Sequence, residues 1–171
     1  MKSKKTKKTI NKFCQPDTRK FICQVRGVDD DKVKGHIYFT EKDNVNYTEI
    51  KLDLHGLPEG PRGFHIHERG NLLDGCTSLC GHFNPHHKTH GGLNHTHSHV
   101  GDLGNIIVKK DGTCTQTIKS KFIRLRGKAN VLGRSVVIHE KEDDLGNGGD
   151  EESLKTGNAG RRIACGVIGY F

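Results

Sequence analysis

Histidine dominates one stretch of this sequence. Nine of the 12 histidines fall between residues 63 and 105, in GFHIHERGNLLDGCTSLCGHFNPHHKTHGGLNHTHSHVGDLGN. His65 and His67 alternate with Ile66 in an apolar run of β character. On a strand, alternate side chains leave the same face, so both imidazoles can reach one metal ion while Ile66 points the other way. His82, His90 and His99 follow, with Asp102 three residues after His99, in a Gly- and Asn-rich passage that reads as loop. Their spacing fits no helix face, so the loop itself must fold around an ion. A compositional His-rich tract that binds metal loosely is the plainer alternative, and the specific wording around the histidines argues against it.

The elements that must position these residues are strands. Phe21–Val25, Val33–Phe39 and Tyr47–Leu54 alternate as half-buried strands do, and so do Asn105–Val108, Thr113–Ile118, Arg134–His139 and Ile163–Phe171. With the His65 strand that makes about eight. Gly56–Pro61 reads as a connector into the His65 strand. Two long irregular connections remain, 69–104 and 140–161, and loops of that length are usually functional. His139 ends a strand where the second of them begins, well placed to join His65 and His67. Many short strands with 22 glycines, no Trp and only 32% hydrophobic residues predict an all-β fold. A chain of 171 residues suits one domain, with a tail.

The net charge of +8 is concentrated at one end. Residues 1 to 20 hold eight Lys or Arg against one Asp, or +7, which leaves 20 basic and 19 acidic residues beyond, about +1. The expected division is a basic, disordered tail over 1–19 and a folded domain over 20–171. The tail has no apolar run of the length that a signal peptide or membrane helix needs, so the expectation is a cytoplasmic protein with no membrane contact. Solubility is the simplest role for the tail. Nuclear access or nucleic-acid contact is the other.

The motifs themselves carry a family resemblance. GFHIHE at 63–68, GCTS at 75–78, HFNP at 82–85, HGG at 90–92 and HVGDLGN at 99–105 resemble the metal loop of copper/zinc superoxide dismutases of the intracellular eukaryotic type. VVIHEKEDDLG at 136–146, EESLKTGNAG at 151–160 and RIACGVIG at 162–169 extend the likeness to the C-terminus. The resemblance implies an eight-stranded antiparallel Greek-key barrel or sandwich with two functional loops. It also implies one copper and one zinc per subunit. His65, His67, His82 and His139 match the copper ligands; His82, His90, His99 and Asp102 match the zinc ligands, with His82 as the shared imidazolate. Four imidazoles suit Cu(II), and three imidazoles with a carboxylate suit tetrahedral zinc. Asp143 matches the carboxylate that hydrogen-bonds His65 and His90, and Cys76 and Cys165 match the intrasubunit disulfide. Cys23 reads as a buried strand thiol, Cys14 and Cys114 as free thiols. Cys80 departs from the family's wording, and its nearness to Cys76 raises disulfide exchange.

The implied activity is conversion of two superoxide anions and two protons into dioxygen and hydrogen peroxide, through alternating Cu(II) and Cu(I), with His82 carrying one proton. Arg162 matches the guanidinium at the channel mouth, Thr156 narrows it, and Glu151, Glu152 and Lys155 shape the approach field. His86, His87, His95 and His97 match no ligand position; exposure to solvent is expected, an auxiliary or metal-loading site being the alternative. A homodimer through Gly166-Val167-Ile168-Gly169, with Tyr170 and Phe171 adding apolar area, and a copper chaperone are the implied partners. Two other classes stay open: a catalytically silent dismutase-like copper carrier or binding module, and a nucleic-acid binder led by the tail.

Overall fold

The computed structural model describes residues 18–29 and 32–171. The Lys-rich segment up to residue 17, with Cys14, lies outside the described residues. Eight strands form one antiparallel sheet: β1 (Thr18–Gly27), β2 (Lys34–Lys42), β3 (Thr48–His55), β4 (Gly60–His67), β5 (Asp102–Val108), β6 (Cys114–Ser120), β7 (Ser135–His139) and β8 (Arg162–Tyr170). Their order, β5-β4-β7-β8-β1-β2-β3-β6, crosses over twice and curls into a nearly closed barrel. The seam lies between β5 and β6, where a turn at Lys109–Thr113 and a bond from the Ile107 amide to Gln116 Oε1 join the two edges. The eight strands and two long loops expected from the sequence are all present.

Three boundaries differ from the sequence reading. β1 begins at Thr18, which pairs with Lys42, so two residues assigned to the tail are in the sheet. Gly60 and Pro61 belong to β4 because they pair with Val108 and Ile107, overriding their turn propensity. Asp102 opens β5 opposite His65, next to a bulge at Gly63/His65, rather than ending the loop.

Alternation sends Phe39, Ile50, Leu52, Phe64, Ile66, Val136 and Ile138 inward to the core. Each fully buried Ile or Phe of this kind contributes about 1.5–3 kcal/mol. In β4 and β7 the outward residues are buried as well, since the two loops cover them: His65, His67, Val137 and His139 all lie beneath loop. The first loop, 68–101, is stitched to β4 at Ile66. The Ile66 amide donates to the Gly101 carbonyl, the Phe83 amide donates to the Ile66 carbonyl, and the Gly101 amide donates to the Phe83 carbonyl. A Cβ on Gly101 would overlap the Ile66 oxygen, so this close approach needs glycine. The loop is tied to β8 by the Cys76–Cys165 disulfide, packed with Leu79 and Val137 in a small apolar cluster outside the barrel. The second loop, 140–161, contains one short helix, α1 (Ser153–Thr156), and its limbs pair through the Glu140, Lys141 and Asp144 amides. No helix among the described residues is long and apolar enough to cross a membrane.

Candidate metal centre

The ligand positions converge from three strands and the first loop. β4 supplies His65 and His67, β7 ends on His139, and the first loop brings His82 to a backbone bridge with His67. One ring nitrogen from each of these four buried imidazoles lies within 4.8 Å of the other three. His65 Nδ1, His67 Nε2, His82 Nε2 and His139 Nε2 have no hydrogen-bond partner. Leaving one such nitrogen buried and unpaired is costly, and four pointing to one place form a socket for a cation.

In three of the four, the opposite nitrogen is held by an acceptor. His65 Nε2 is 2.8 Å from Asp143 Oδ2, His67 Nδ1 is 2.8 Å from the Cys80 carbonyl, and His139 Nδ1 is 2.9 Å from the Gly160 carbonyl. Each contact places the proton on the outer nitrogen and the lone pair toward the centre. Burial pushes these imidazoles down: His65 and His67 well below the usual range, with the His82 ring adding to it, and His139 to about 4. They are neutral at neutral pH, the form that binds a metal.

His82 differs because its second nitrogen faces another ligand set. His82 Nδ1 lies 2.9 Å from Asp102 Oδ1, and the Nδ1 atoms of His90 and His99 lie 3.1 Å from the same oxygen. The His90 contact lacks hydrogen-bond alignment, leaving that nitrogen unpaired. Zinc bonds of about 2.0–2.1 Å in a tetrahedron give ligand-to-ligand edges near ~3.3 Å, close to what these atoms show. The Gly91 and His99 amides donate to Asp102 Oδ2, which turns Oδ1 toward the three rings. Burial disfavours the His90 imidazolium, yet the Asp102 and Asp143 carboxylates against its two nitrogens outweigh it and raise the group to about 9. A protonated His90 thus offsets half of the charge of the two carboxylates, where a dication would otherwise balance both.

Asp143 links the two sets, its Oδ1 lying 2.8 Å from His90 Nε2. The carboxylate is itself oriented: the Leu145 amide donates to Oδ1, and the Asn105 side chain exchanges hydrogen bonds with the Asp143 backbone. Gly157, at φ 70°, lies against this bridge, and a Cβ there would overlap Asp143 Oδ1 and crowd His90. Gly157 and Asn105 were not singled out from the sequence; their place inside TGNAG and GDLGN was the available signal. The Cys80 and Gly160 carbonyls had none, since a backbone acceptor has no residue type.

A family model described as copper/zinc superoxide dismutase (SODC) matches residues 33–168. This chain belongs to the copper/zinc superoxide dismutase family. It is by that membership an oxidoreductase of the superoxide dismutase class, and copper and zinc are the metals of the family. The chain is 52% identical to a Cu-Zn superoxide dismutase of Paramecium bursaria Chlorella virus 1 over 139 residues, 81% of this chain and 73% of that one. It is 50% identical over 141 residues to an extracellular Cu-Zn superoxide dismutase of Drosophila melanogaster, 82% of this chain and 78% of that one. Among solved structures, the clock protein EA4 superposes with a TM-score of 0.85 at 40% identity, covering 91% of this chain and 97% of the other. The residues present fit the family's metals: unpaired nitrogens fill one socket, and three imidazoles with one carboxylate line the other.

Around this dismutase centre, the Arg162 guanidinium donates to the Cys76, Thr77 and Cys80 carbonyls. It is therefore fixed by the turn that the disulfide anchors. Cys80 sits at φ 62°, ψ −155°, a region used almost only by glycine, and its carbonyl serves both Arg162 and His67. Thr156 donates to Glu152, and Lys155 pairs with Glu151 on the exposed face of α1. Cys23 and Cys114 are buried thiols and Cys80 is a partly exposed one. His86, His87, His95 and His97 are exposed.

Proposed function

We propose that the chain dismutes superoxide at a His82-bridged centre, with one copper held by His65, His67, His82 and His139 and one zinc by His82, His90, His99 and Asp102. The observation that carries this reading is the convergence of four unpaired, buried imidazole nitrogens on one point, with His82 shared by both ligand sets. Copper would supply one-electron exchange with superoxide, and zinc a redox-silent charge that holds His82. His82 moves a proton at Nε2, the face turned to the copper position, while Nδ1 stays turned to the zinc position. Asp143 keeps the His65 and His90 rings oriented. Arg162 attracts the anionic substrate and aligns it, Thr156 limits what enters, and Glu151, Glu152 and Lys155 set the local field.

The exposed apolar side chains Val28 and Leu72 support a homodimer through the face they share with Gly166 and Val167. Tyr170 and Phe171 touch Phe21 and Tyr38 but stay largely exposed, so they add apolar area. The three free cysteines among the described residues support an intracellular, reducing setting.

The test is superoxide consumption by pulse radiolysis on protein carrying copper and zinc, with both metals counted on the same sample. Fast turnover at about one copper and one zinc per chain, with copper and turnover lost together in His139→Ala, is the expected result. Full loading without turnover would replace the enzyme reading with that of a metal carrier.

A further inference from the structure

We propose that His95 and His97 form a surface site for a third metal ion, a divalent ion of the Cu(II) class, outside the buried pair centre. The two residues repeat the His-x-His spacing of His65 and His67 in a turn instead of a strand. Their ring centroids are 6.2 Å apart with planes inclined at 51°. Imidazole pairs that converge on the buried socket have nearly the same relation: 6.5 Å and 44° for His65 and His67, 6.3 Å and 62° for His82 and His139. The surface pair thus has its rings at a separation from which two imidazoles can reach one ion.

The turn is held in shape before any ion arrives. The His95 amide donates to the Gly92 carbonyl, Ser98 Oγ donates to the His95 carbonyl, and Lys88 Nζ donates to the Thr96 carbonyl between the two histidines. The ends of the segment are fixed at His90 and His99, both buried. Preorganisation of this kind removes part of the ordering cost of binding. Both imidazoles are exposed, and among the described residues their ring nitrogens make no hydrogen bond, so lone pairs are available to an incoming cation. The Lys88 ammonium, held at the Thr96 carbonyl, opposes binding by charge, at the reduced strength of an interaction through water. Two imidazoles with water completing the shell favour Cu(II) over the other first-row divalent ions.

The experiment uses the holoprotein, its buried centre already filled with copper and zinc. Cu(II) is added in the presence of glycine as a weak competitor, and binding is read by EPR and by metal counting after desalting. One further Cu(II) per chain is expected, with an EPR signal separate from that of the buried copper. His95→Ala/His97→Ala should weaken this third site at least about tenfold, since losing ligands costs no less than losing their outer partners. Buried copper, zinc and turnover should stay as they are, and His86→Ala/His87→Ala should keep the third ion. Absence of a third Cu(II), or equal affinity in the His95/His97 variant, overturns the proposal, as does loss of the ion in the His86/His87 variant. Should the double variant lose its buried metals, His95→Gln and His97→Gln singly give the answer: unchanged affinity in both overturns the site. The readout counts ions rather than turnover, so it stands or falls apart from the dismutase mechanism.

Discussion

Strands β2 and β3 bury every second side chain and leave the others at the surface, whereas β7 buries all five of its residues. The two regions belong to one sheet and obey the same alternation. They differ in what covers the outer face: water over β2 and β3, folded loop over β4 and β7. A covered outer face is where imidazoles can be both buried and aimed. Ordering that cover costs about 1–2 kcal/mol of backbone entropy for each residue. Against that stand Phe83 and Val100, which pack into the barrel core, the small cluster of Cys76, Leu79, Val137 and Cys165, and the disulfide. A bound metal adds to them, as structural zinc does in small zinc domains. The β2–β3 side rests on its core, and the loop side on core contacts, a disulfide and ligands together.

Substitutions on the two sides should therefore fail differently. Phe39→Ala, in the core under β2, should cost about 3–5 kcal/mol in urea unfolding while the folded protein keeps its full copper and zinc; metal loss at equal measure would erase the distinction. Gly157→Ala should strip metal instead. The added methyl displaces the Asp143–His90 bridge, and zinc affinity measured against a chromophoric chelator should fall about 10–100-fold; unfolding of the metal-free chain should lose about 1–3 kcal/mol as well, because the positive φ suits glycine and the bridge stands without metal.

Acidity probes the same contrast without mutation. In the metal-free protein, His65, His67 and His139 are depressed by burial, His139 to about 4. The unfolded chain takes up protons near about 6.5, so stability drops as pH falls from there toward 4. His90 has the opposite sign: raised to about 9, its contribution is complete below about 6.5 and lost as pH rises through 9. Urea unfolding of metal-free protein at acid, neutral and alkaline pH should show a maximum near neutrality, and metal-loaded protein a flatter profile. A metal-free profile as flat as the loaded one would remove His65, His67, His139 and His90 from the account. The smallest effect is expected for Cys80→Gly, which relieves a positive φ and should stabilise by about 1 kcal/mol with metal content unchanged. Destabilisation there would mean that the thiol, and not only its peptide, matters.

Much of this was legible in the sequence because it rests on side-chain type and period. His65 and His67 had to share a face, and the apolar alternation marked eight strands. Other parts were not legible, for physical reasons. Asp102 lies amid glycines that read as loop, yet pairing with β4 makes it the first residue of β5. Gly157 matters through a space left empty. The acceptors for His67 and His139 are peptide carbonyls of Cys80 and Gly160, groups that every residue carries and no motif marks.

The carbonyl of Cys80 accepts from both His67 and Arg162. With Arg162 and His67 in the roles proposed above, substrate capture and electron transfer are therefore not separately adjustable in this molecule. A change that shifts the turn around Cys80, whether in sequence or in the oxidation state of Cys76, alters affinity for the anion and the copper ligand field in one movement. Variation at this turn is filtered by two requirements at once, so it offers evolution few independent steps.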